Sequence, residues 1–89
     1  MPRKNPETKF KEKVIEDLKS IQCWFLKVQL LATRGIPDIL MCRKGFFIAI
    51  ELKVDAELEE LQEYNLNQIK QNGGRSYVAT PKNWKKIYR

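Results

Sequence analysis

The sequence predicts an α/β domain in which helices flank a central sheet, in the order α-β-β-β-α-β-α. Two stretches carry apolar residues every three or four positions, and four short stretches are rich in branched or aromatic residues. With 89 residues, the chain is long enough for one domain with a small core and too short for two independent folds. We therefore predict a single domain over residues 1–89.

The first helix and the first two strands follow from local patterns. Phe10, Val14, Leu18 and Ile21 share one helix face, which predicts a helix over about residues 7–20. "CWFLKVQLL" (23–31) is typical of a strand. "IPDILMC" (36–42) predicts a second strand, whose start suits Pro37 because proline has no N–H to donate.

The second half of the chain is patterned more clearly. "RKG" predicts a turn, "FFIAIELKV" (46–54) the third strand and "RSYVAT" (75–80) the fourth. Residues 57–72 predict a second helix that begins with acids and ends at "NGG". A short final helix is expected with Thr80 as its N-cap and Pro81 at its first position.

The charge of the chain indicates a polyanionic partner. The net charge is +6, and residues 73–89 carry five basic residues and no acid. Residues 1–34 carry eight basic residues against four acids, whereas residues 54–72 carry one against five. This distribution favours nucleic acid as the partner and an anionic membrane surface as the second choice.

The composition also excludes several classes of protein. The absence of histidine removes Ser-His-Asp triads and histidine-based acid–base catalysis, and with two cysteines a zinc site is not expected. No apolar run approaches a membrane span, and the charged N-terminus does not resemble a secretory signal. Cys23 and Cys42 are expected to be reduced, mostly buried thiols of a cytosolic protein.

Three charged residues on the second and third strands predict a site. Alternation along the third strand places Glu51 and Lys53 on one face, opposite a fully apolar one. If the "RKG" turn joins the two strands as a hairpin, Asp38 comes to lie close to them. Two carboxylates suit Mg²⁺ or Mn²⁺, and a lysine beside them can stabilise an attacking water or developing phosphate charge. The alternative is a cross-strand salt-bridge cluster on a solvated sheet face.

Both longer helices carry polar residues on their apolar sides. Glu7 falls within the stripe of the first helix, where it is either a site residue or a first-turn acid that complements the helix dipole. Gln62 and Asn65 lie among the apolar residues of the second helix, where burial requires hydrogen-bond partners. They serve either a capping or register-fixing contact or a site on the sheet beneath.

Taken together, "GIPD", "IAIELK", a helix with an early glutamine, and "GG" before a strand resemble the VRR-Nuc family of PD-(D/E)XK nucleases. The resemblance extends from Glu7 to about Thr80 and implies a restriction-endonuclease-like αβββαβ core with a mixed central sheet and flanking helices. It assigns catalytic roles to a set of five residues: Glu7, Asp38, Glu51, Lys53 and Gln62. It further implies a metal held by Asp38, Glu51 and the backbone carbonyl of Leu52, with Glu7 as a further ligand, directly or through water.

The resemblance implies a Mg²⁺-dependent endonuclease, with Mn²⁺ as a substitute, that acts on DNA. Stand-alone, virus-type members of the family resemble homodimers that cleave branched DNA, including four-way junctions, so we expect a homodimer in bacterial or phage-infected cytoplasm. Lys27 and Arg34, and on the hairpin turn Arg43 and Lys44, are the expected DNA contacts; each could instead be a solubilising charge. A non-catalytic DNA-binding module and an RNA-directed nuclease remain alternatives.

Overall fold

The protein is described by a computed structural model that covers residues 5–28, 34–55 and 57–88. Within these residues, three helices and four strands follow one another in the predicted order α-β-β-β-α-β-α. Their bounds are α1 Pro6–Lys19, β1 Trp24–Lys27, β2 Ile39–Arg43, β3 Phe46–Leu52, α2 Glu60–Gln71, β4 Arg75–Ala79 and α3 Trp84–Tyr88.

The four strands form one mixed sheet in the order β1-β2-β3-β4. The first three strands are antiparallel neighbours, whereas β3 and β4 run parallel and are connected through α2. This arrangement confirms the predicted α/β class with a mixed central sheet and flanking helices.

The core lies between the sheet and the helices α1 and α3. The apolar positions predicted for the first helix, Phe10, Val14 and Leu18, are buried there against Ile39 and Ile50. On the opposite face, α2 packs on β4, which is an edge strand of the sheet.

A buried hydrogen bond joins α1 to α3. Trp84 is 4% exposed, and its Nε1 donates to Asp17 Oδ2 over 2.7 Å. Lys13 forms an ion pair with the same carboxylate at 3.1 Å. Desolvation raises the pKa of Asp17, but the hydrogen bonds from Trp84 and Lys13 outweigh it, so the pKa lies below its usual range.

Helix boundaries differ from the predicted ones where side chains cap the backbone. Asn5 accepts a hydrogen bond from Thr8 N at 2.7 Å, which starts α1 at Pro6. A capping box between Glu59 and Gln62 delays the start of α2 to Glu60, three residues after the predicted one.

The final helix also begins later than predicted. Thr80 Oγ1 accepts from Asn83 N, and Asn83 Oδ1 accepts from Thr80 N. This reciprocal pair confirms a capping contact of Thr80, but it closes a turn over 81–83, and α3 begins only at Trp84. Pro81 therefore lies in that turn and not at the first position of the helix.

The strands are shorter than predicted. The first ends at Lys27; residues 29–31, which were also expected in it, lie outside the described residues. The second begins at Ile39, two residues after Pro37, and the third ends at Leu52, so Lys53 and Val54 follow the strand. The PD motif (Pro37 and Asp38) and the E-x-K motif (Glu51 to Lys53) thus lie at the same end of the two central strands, where their pairing stops.

The two thiols differ in exposure. Both are free; Cys23 is half-buried, and burial raises its pKa, whereas Cys42 is exposed. The expectation of burial was wrong for Cys42, because its side chain points from the β2 face opposite the α1–α3 core. Among the described helices, none is both long and apolar enough to cross a bilayer.

Candidate functional site

The β2–β3 hairpin brings Asp38 and Glu51 together. Its two-residue turn has positive φ at both positions, 52° at Lys44 and 83° at Gly45, as hairpin turns of the tightest kind require. The register pairs Ile39 with Ile50, so Asp38, one residue before β2, lies beside Glu51. Because side chains alternate along a strand, the Glu51 side chain leaves the sheet on the face opposite Ile50 and the α1–α3 core.

Two backbone hydrogen bonds fix Asp38. Leu52 N donates to Asp38 Oδ2 over 2.8 Å, and Val28 N donates to the Asp38 carbonyl, also over 2.8 Å. The side chain is therefore held by β3 and the main chain by the segment that follows β1. These two hydrogen bonds orient the other carboxylate oxygen of Asp38, Oδ1, before any ligand binds.

Glu51 is almost completely buried, with 2% of its surface exposed. Desolvation raises its pKa most, a hydrogen bond with the Asp38 side chain and repulsion from that charge raise it further, and Lys53 lowers it; the result is about 8. Near neutral pH the pair therefore retains a proton that an isolated pair of carboxylates would lose. This burial contradicts the alternative of a solvated salt-bridge cluster.

One oxygen of Glu51 lacks a partner. Within the described residues, Oε1 is buried and receives no hydrogen bond. An unpaired buried oxygen costs free energy, and such a group usually has a functional reason. Beside Asp38, it forms a pair of hard oxygen donors that a divalent cation would satisfy. The residues present therefore fit the Mg²⁺ or Mn²⁺ that the resemblance implies.

A cavity of about 220 Å³ opens at this end of the two central strands. It is lined by four of the predicted site residues or their backbone: Glu7, Asp38, Leu52 and Lys53. Lys53 is anchored by its backbone N–H, which donates to the Ala79 carbonyl over 3.0 Å. The structure thus brings the first turn of α1 and the ends of β2 and β3 to one cavity.

Lys11 also lines this cavity and was missed in the sequence. It follows Glu7 by four residues, so the two share a helix face. That spacing was the available signal, but a lysine four residues after a glutamate is common on solvated helices. Its ammonium gives the cavity a second positive group beside Lys53.

Glu7 is exposed in the first turn of α1 and lies on the rim of the cavity. In the described part of the chain, no three carboxylate or thiol side chains converge into a metal-binding group. Glu7 therefore lies too far from the Asp38–Glu51 pair to complete such a group here. A contact through water, as expected from the sequence, remains a prediction.

The structure does not bring Gln62 to the cavity. Its Oε1 accepts a hydrogen bond from Glu59 N at 3.0 Å, which completes the capping box of α2. The capping alternative therefore describes the observed contact, and a catalytic role of Gln62 remains a prediction.

Asn65, the other polar residue on the apolar side of α2, secures the approach to the PD motif. Its Nδ2 donates to the Gly35 carbonyl over 2.9 Å. Gly35 has φ of 77°, and a Cβ there would lie 2.6 Å from Leu61 Cγ. Only glycine fits both the dihedral angle and the space available in the turn before Asp38.

The predicted DNA contacts lie at two ends of the sheet. Lys27 pairs in register with Ile39, next to Asp38, and is exposed, as is Arg34. Arg43 is half-buried and Lys44 exposed at the hairpin turn, at the far end of β3.

Comparison with known proteins identifies the fold. No protein-family model and no curated protein matches the sequence. A solved structure described as a "VRR_NUC domain" is 18% identical to the chain and superposes with a TM-score of 0.77, over 91% of each chain. The chain therefore has the restriction-endonuclease-like α/β fold of that VRR_NUC domain structure, as the resemblance of its motifs predicted.

Proposed function

We propose that the chain is a Mg²⁺-dependent endonuclease that hydrolyses phosphodiester bonds in DNA, with branched DNA such as four-way junctions as its substrate. The observation that carries this proposal is the Asp38–Glu51 pair: Glu51 is buried with one unpaired oxygen, and Asp38 lines a cavity together with Lys53. Burial that raises the pKa of one of two adjacent carboxylates to about 8 is typical of functional sites.

Each residue of the cavity has a chemical role in this proposal. Asp38, Glu51 and the Leu52 carbonyl would hold the metal ion, which would polarise the phosphate and acidify a bound water. Lys53 orients the water and stabilises charge that develops on the phosphate oxygens. Glu7 on the rim would hold a water of the metal site.

Positive charge near the carboxylates supports DNA as the substrate. Lys11 lines the cavity, and Lys27 is exposed at the neighbouring end of β1. With Arg34, these residues would contact the phosphates on either side of the cleaved bond, because lysine and arginine neutralise the backbone of DNA. The remaining predicted contacts, Arg43 and Lys44, would bind DNA farther from the cut.

A homodimer is part of the proposal, since paired cuts in a junction require two sites. Large apolar side chains are exposed on several elements, as is typical of surfaces that associate. The set comprises Trp24, Leu26, Phe46, Phe47, Leu61 and Tyr64. Sedimentation equilibrium of the metal-free protein should give twice the 10.5 kDa chain mass. Two free thiols suit the reduced cytoplasm of a bacterium or phage-infected cell.

Cleavage of a labelled four-way junction tests the enzymatic proposal. At substoichiometric protein, product should accumulate over several turnovers with Mg²⁺ or Mn²⁺ and stop with EDTA. Lys53→Ala should lower the rate by at least about 100-fold, since it removes an electrostatic stabiliser of the transition state. Lys70→Ala, which removes an exposed lysine of α2, is the matched control and should cleave normally. Full activity of Lys53→Ala would refute the assignment.

One observation favours a second candidate, a DNA-binding module that retains the nuclease fold without cleaving. The side chain of Gln62 caps α2 and does not face the cavity, so one predicted catalytic group is engaged elsewhere. Such a module would bind the junction with strong salt dependence and form no product at any metal concentration. Flap, linear duplex and RNA substrates in parallel would identify the preferred nucleic acid.

A further inference from the structure

A second cavity lies at the opposite end of β3 from the carboxylates. It has a volume of about 420 Å³, nearly twice that of the carboxylate cavity, and lies on the sheet face covered by α1 and α3. The length of β3 places Phe46, which lines this cavity, about 20 Å from Leu52, which lines the carboxylate cavity, at about 3.3 Å per residue. This second cavity, hereafter the far cavity, is large enough for a nucleotide-sized ligand.

Three cations surround the far cavity: Arg43, Lys44 and Arg75. Strand register explains why they converge. Arg43 pairs with Phe46 across the hairpin, and Arg75 pairs with Ile48, so both arginines leave the same face at the same end of the sheet. Among the described lining residues there is no carboxylate, so nothing there neutralises this charge.

The hydrogen-bonding capacity of Arg43 is not used up within the protein. In the described part of the chain, its Nε is buried and lacks a hydrogen-bond partner. A buried guanidinium donor without a partner costs free energy unless a ligand satisfies it. Phosphate is the anion whose geometry an arginine fork matches.

Aromatic and apolar side chains form the rest of the far cavity. The Arg75 guanidinium lies 4.0 Å from the centre of the Phe46 ring, which holds it at the mouth of the cavity. Tyr77 and Tyr88 line the wall, and apolar core residues such as Ile48 form the floor. A ligand that fits would carry phosphate at one end and a flat, weakly polar ring at the other.

We propose that the far cavity binds one phosphorylated nucleotide of single-stranded DNA. The phosphate contacts Arg43, Lys44 and Arg75, and the base lies against Tyr77 and the apolar floor, since bases stack on aromatic side chains without sequence preference. DNA as the source of the nucleotide rests on the proposed function.

Binding without cleavage tests this proposal. The probe is an eight-nucleotide thymidine oligomer with a 5′-phosphate and a 3′-fluorescein, titrated by fluorescence anisotropy in EDTA. Arg43→Gln combined with Arg75→Gln should weaken binding about tenfold, as expected for charge-assisted hydrogen bonds to phosphate. The slope of log affinity against log salt should become shallower by about 0.7, because the cavity neutralises one phosphate of a single strand.

The control pair, Lys70→Gln with Lys82→Gln, removes the same charge from exposed positions. It should change affinity by about twofold at most if binding is local, because distant surface charges are screened. Equal losses of affinity in both pairs would overturn the proposal, as would failure of the probe to bind the wild type. Because Arg43 is half-buried, Arg75→Gln alone serves as a second variant; it should make the salt slope shallower in the same direction as the double variant, by a smaller amount.

Two further measurements identify the ligand and its location. Thymidine monophosphate added to the labelled protein should shift the amide resonances of Tyr77 and Arg43; shifts confined to residues around Asp38 would overturn the proposal. If thymidine monophosphate also displaces the labelled oligomer, the far cavity binds a free nucleotide. If only the unlabelled oligomer displaces it, the far cavity binds a nucleotide that is part of a strand. Either result supports the cavity as the site.

The outcome is separable from that of the nuclease proposal. Lys53→Ala should bind the oligomer as tightly as the wild type, since Lys53 lies at the other end of β3. If the wild type binds the oligomer but does not cleave the junction, the nuclease proposal is rejected and the proposal of a nucleotide site in the far cavity is retained. Normal cleavage with unaltered binding in the arginine variants would reject the far cavity alone.

Discussion

Glu51→Gln should flatten the pH dependence of stability in the metal-free protein. In the folded chain, burial and the neighbouring Asp38 raise the pKa of Glu51 to about 8, against 4.5 for a free side chain. Between these two values the folded state holds a proton that the unfolded state has released. Stability therefore decreases as the pH rises through this window, and it levels off above about pH 8.

The size of the effect follows from the two pKa values. Each pH unit within the window changes the free energy of unfolding by about 1.4 kcal/mol. From pH 6 to pH 9 only the part up to about pH 8 contributes, so the wild type should lose roughly 2.7 kcal/mol more than Glu51→Gln. At pH 6 the two proteins should be about equally stable, because glutamine resembles the protonated carboxyl in size and charge.

Urea unfolding followed by tryptophan fluorescence, in EDTA at pH 6, 7.5 and 9, measures this difference. Titrating groups that do not contact Glu51 contribute equally to both proteins and cancel. Glu63→Gln, an exposed position on α2, controls for the loss of an acid and should keep the wild-type pH dependence. If Glu51→Gln and the wild type lose stability in parallel, Glu51 ionises normally and the reasoning about its burial is wrong.

Three further predictions concern the scaffold. Gly35→Ala should lower stability by about 3 kcal/mol and Gly45→Ala by about 1, since both have positive φ but a Cβ meets a neighbour only at Gly35; urea unfolding of both variants compares them. Trp84→Phe should cost about 2 kcal/mol near neutral pH through loss of its hydrogen bond to Asp17, and less as the pH falls and Asp17 is protonated; equal losses at pH 7 and pH 3 would contradict this. Asn65→Ala should cost about 1 kcal/mol and slow junction cleavage, because it frees the Gly35 carbonyl before the PD motif; stability loss with unchanged turnover would limit Asn65 to a structural role.

Added metal extends the prediction for Glu51. A cation held by the carboxylates should favour their ionised forms and so stabilise the wild type, by about 2.7 kcal/mol when Mg²⁺ exceeds its dissociation constant 100-fold. Glu51→Gln should gain much less. Thermal unfolding at pH 8 with and without Mg²⁺ measures both, and equal gains would place the metal elsewhere.

The sequence was sufficient to predict those features that depend on regular repetition. Alternation along β3 correctly separated Glu51 from the apolar positions Ile48 and Ile50, and the short turn correctly predicted the approach of Asp38. Both inferences need only the period of a strand and the geometry of a hairpin. The polar residues on the apolar side of α2 were also correctly expected to have hydrogen-bond partners.

Features that depend on packing between distant segments were not accessible in this way. Alternation showed that Glu51 leaves the sheet opposite the core, but not that this face would also be covered and the carboxylate desolvated. The start of α2 was predicted three residues too early because Glu59 and Gln62 form a capping box. A glutamate and a glutamine three residues apart form this contact only in some helices. Lys11 enters the cavity only because α1 lies across the end of the sheet.

The connectivity of the sheet has a consequence for how the molecule folds. The β2–β3 hairpin closes through two residues, whereas the parallel pairing of β3 with β4 must await the intervening helix. Hairpins form in about 1–10 μs, and pairings across long loops are slower. We expect higher φ-values for folding at Ile50 than at Val78. Asp38 and Glu51 would then meet before the helices have packed on the sheet, so the repulsion between them arises early on the folding pathway, while water still screens it.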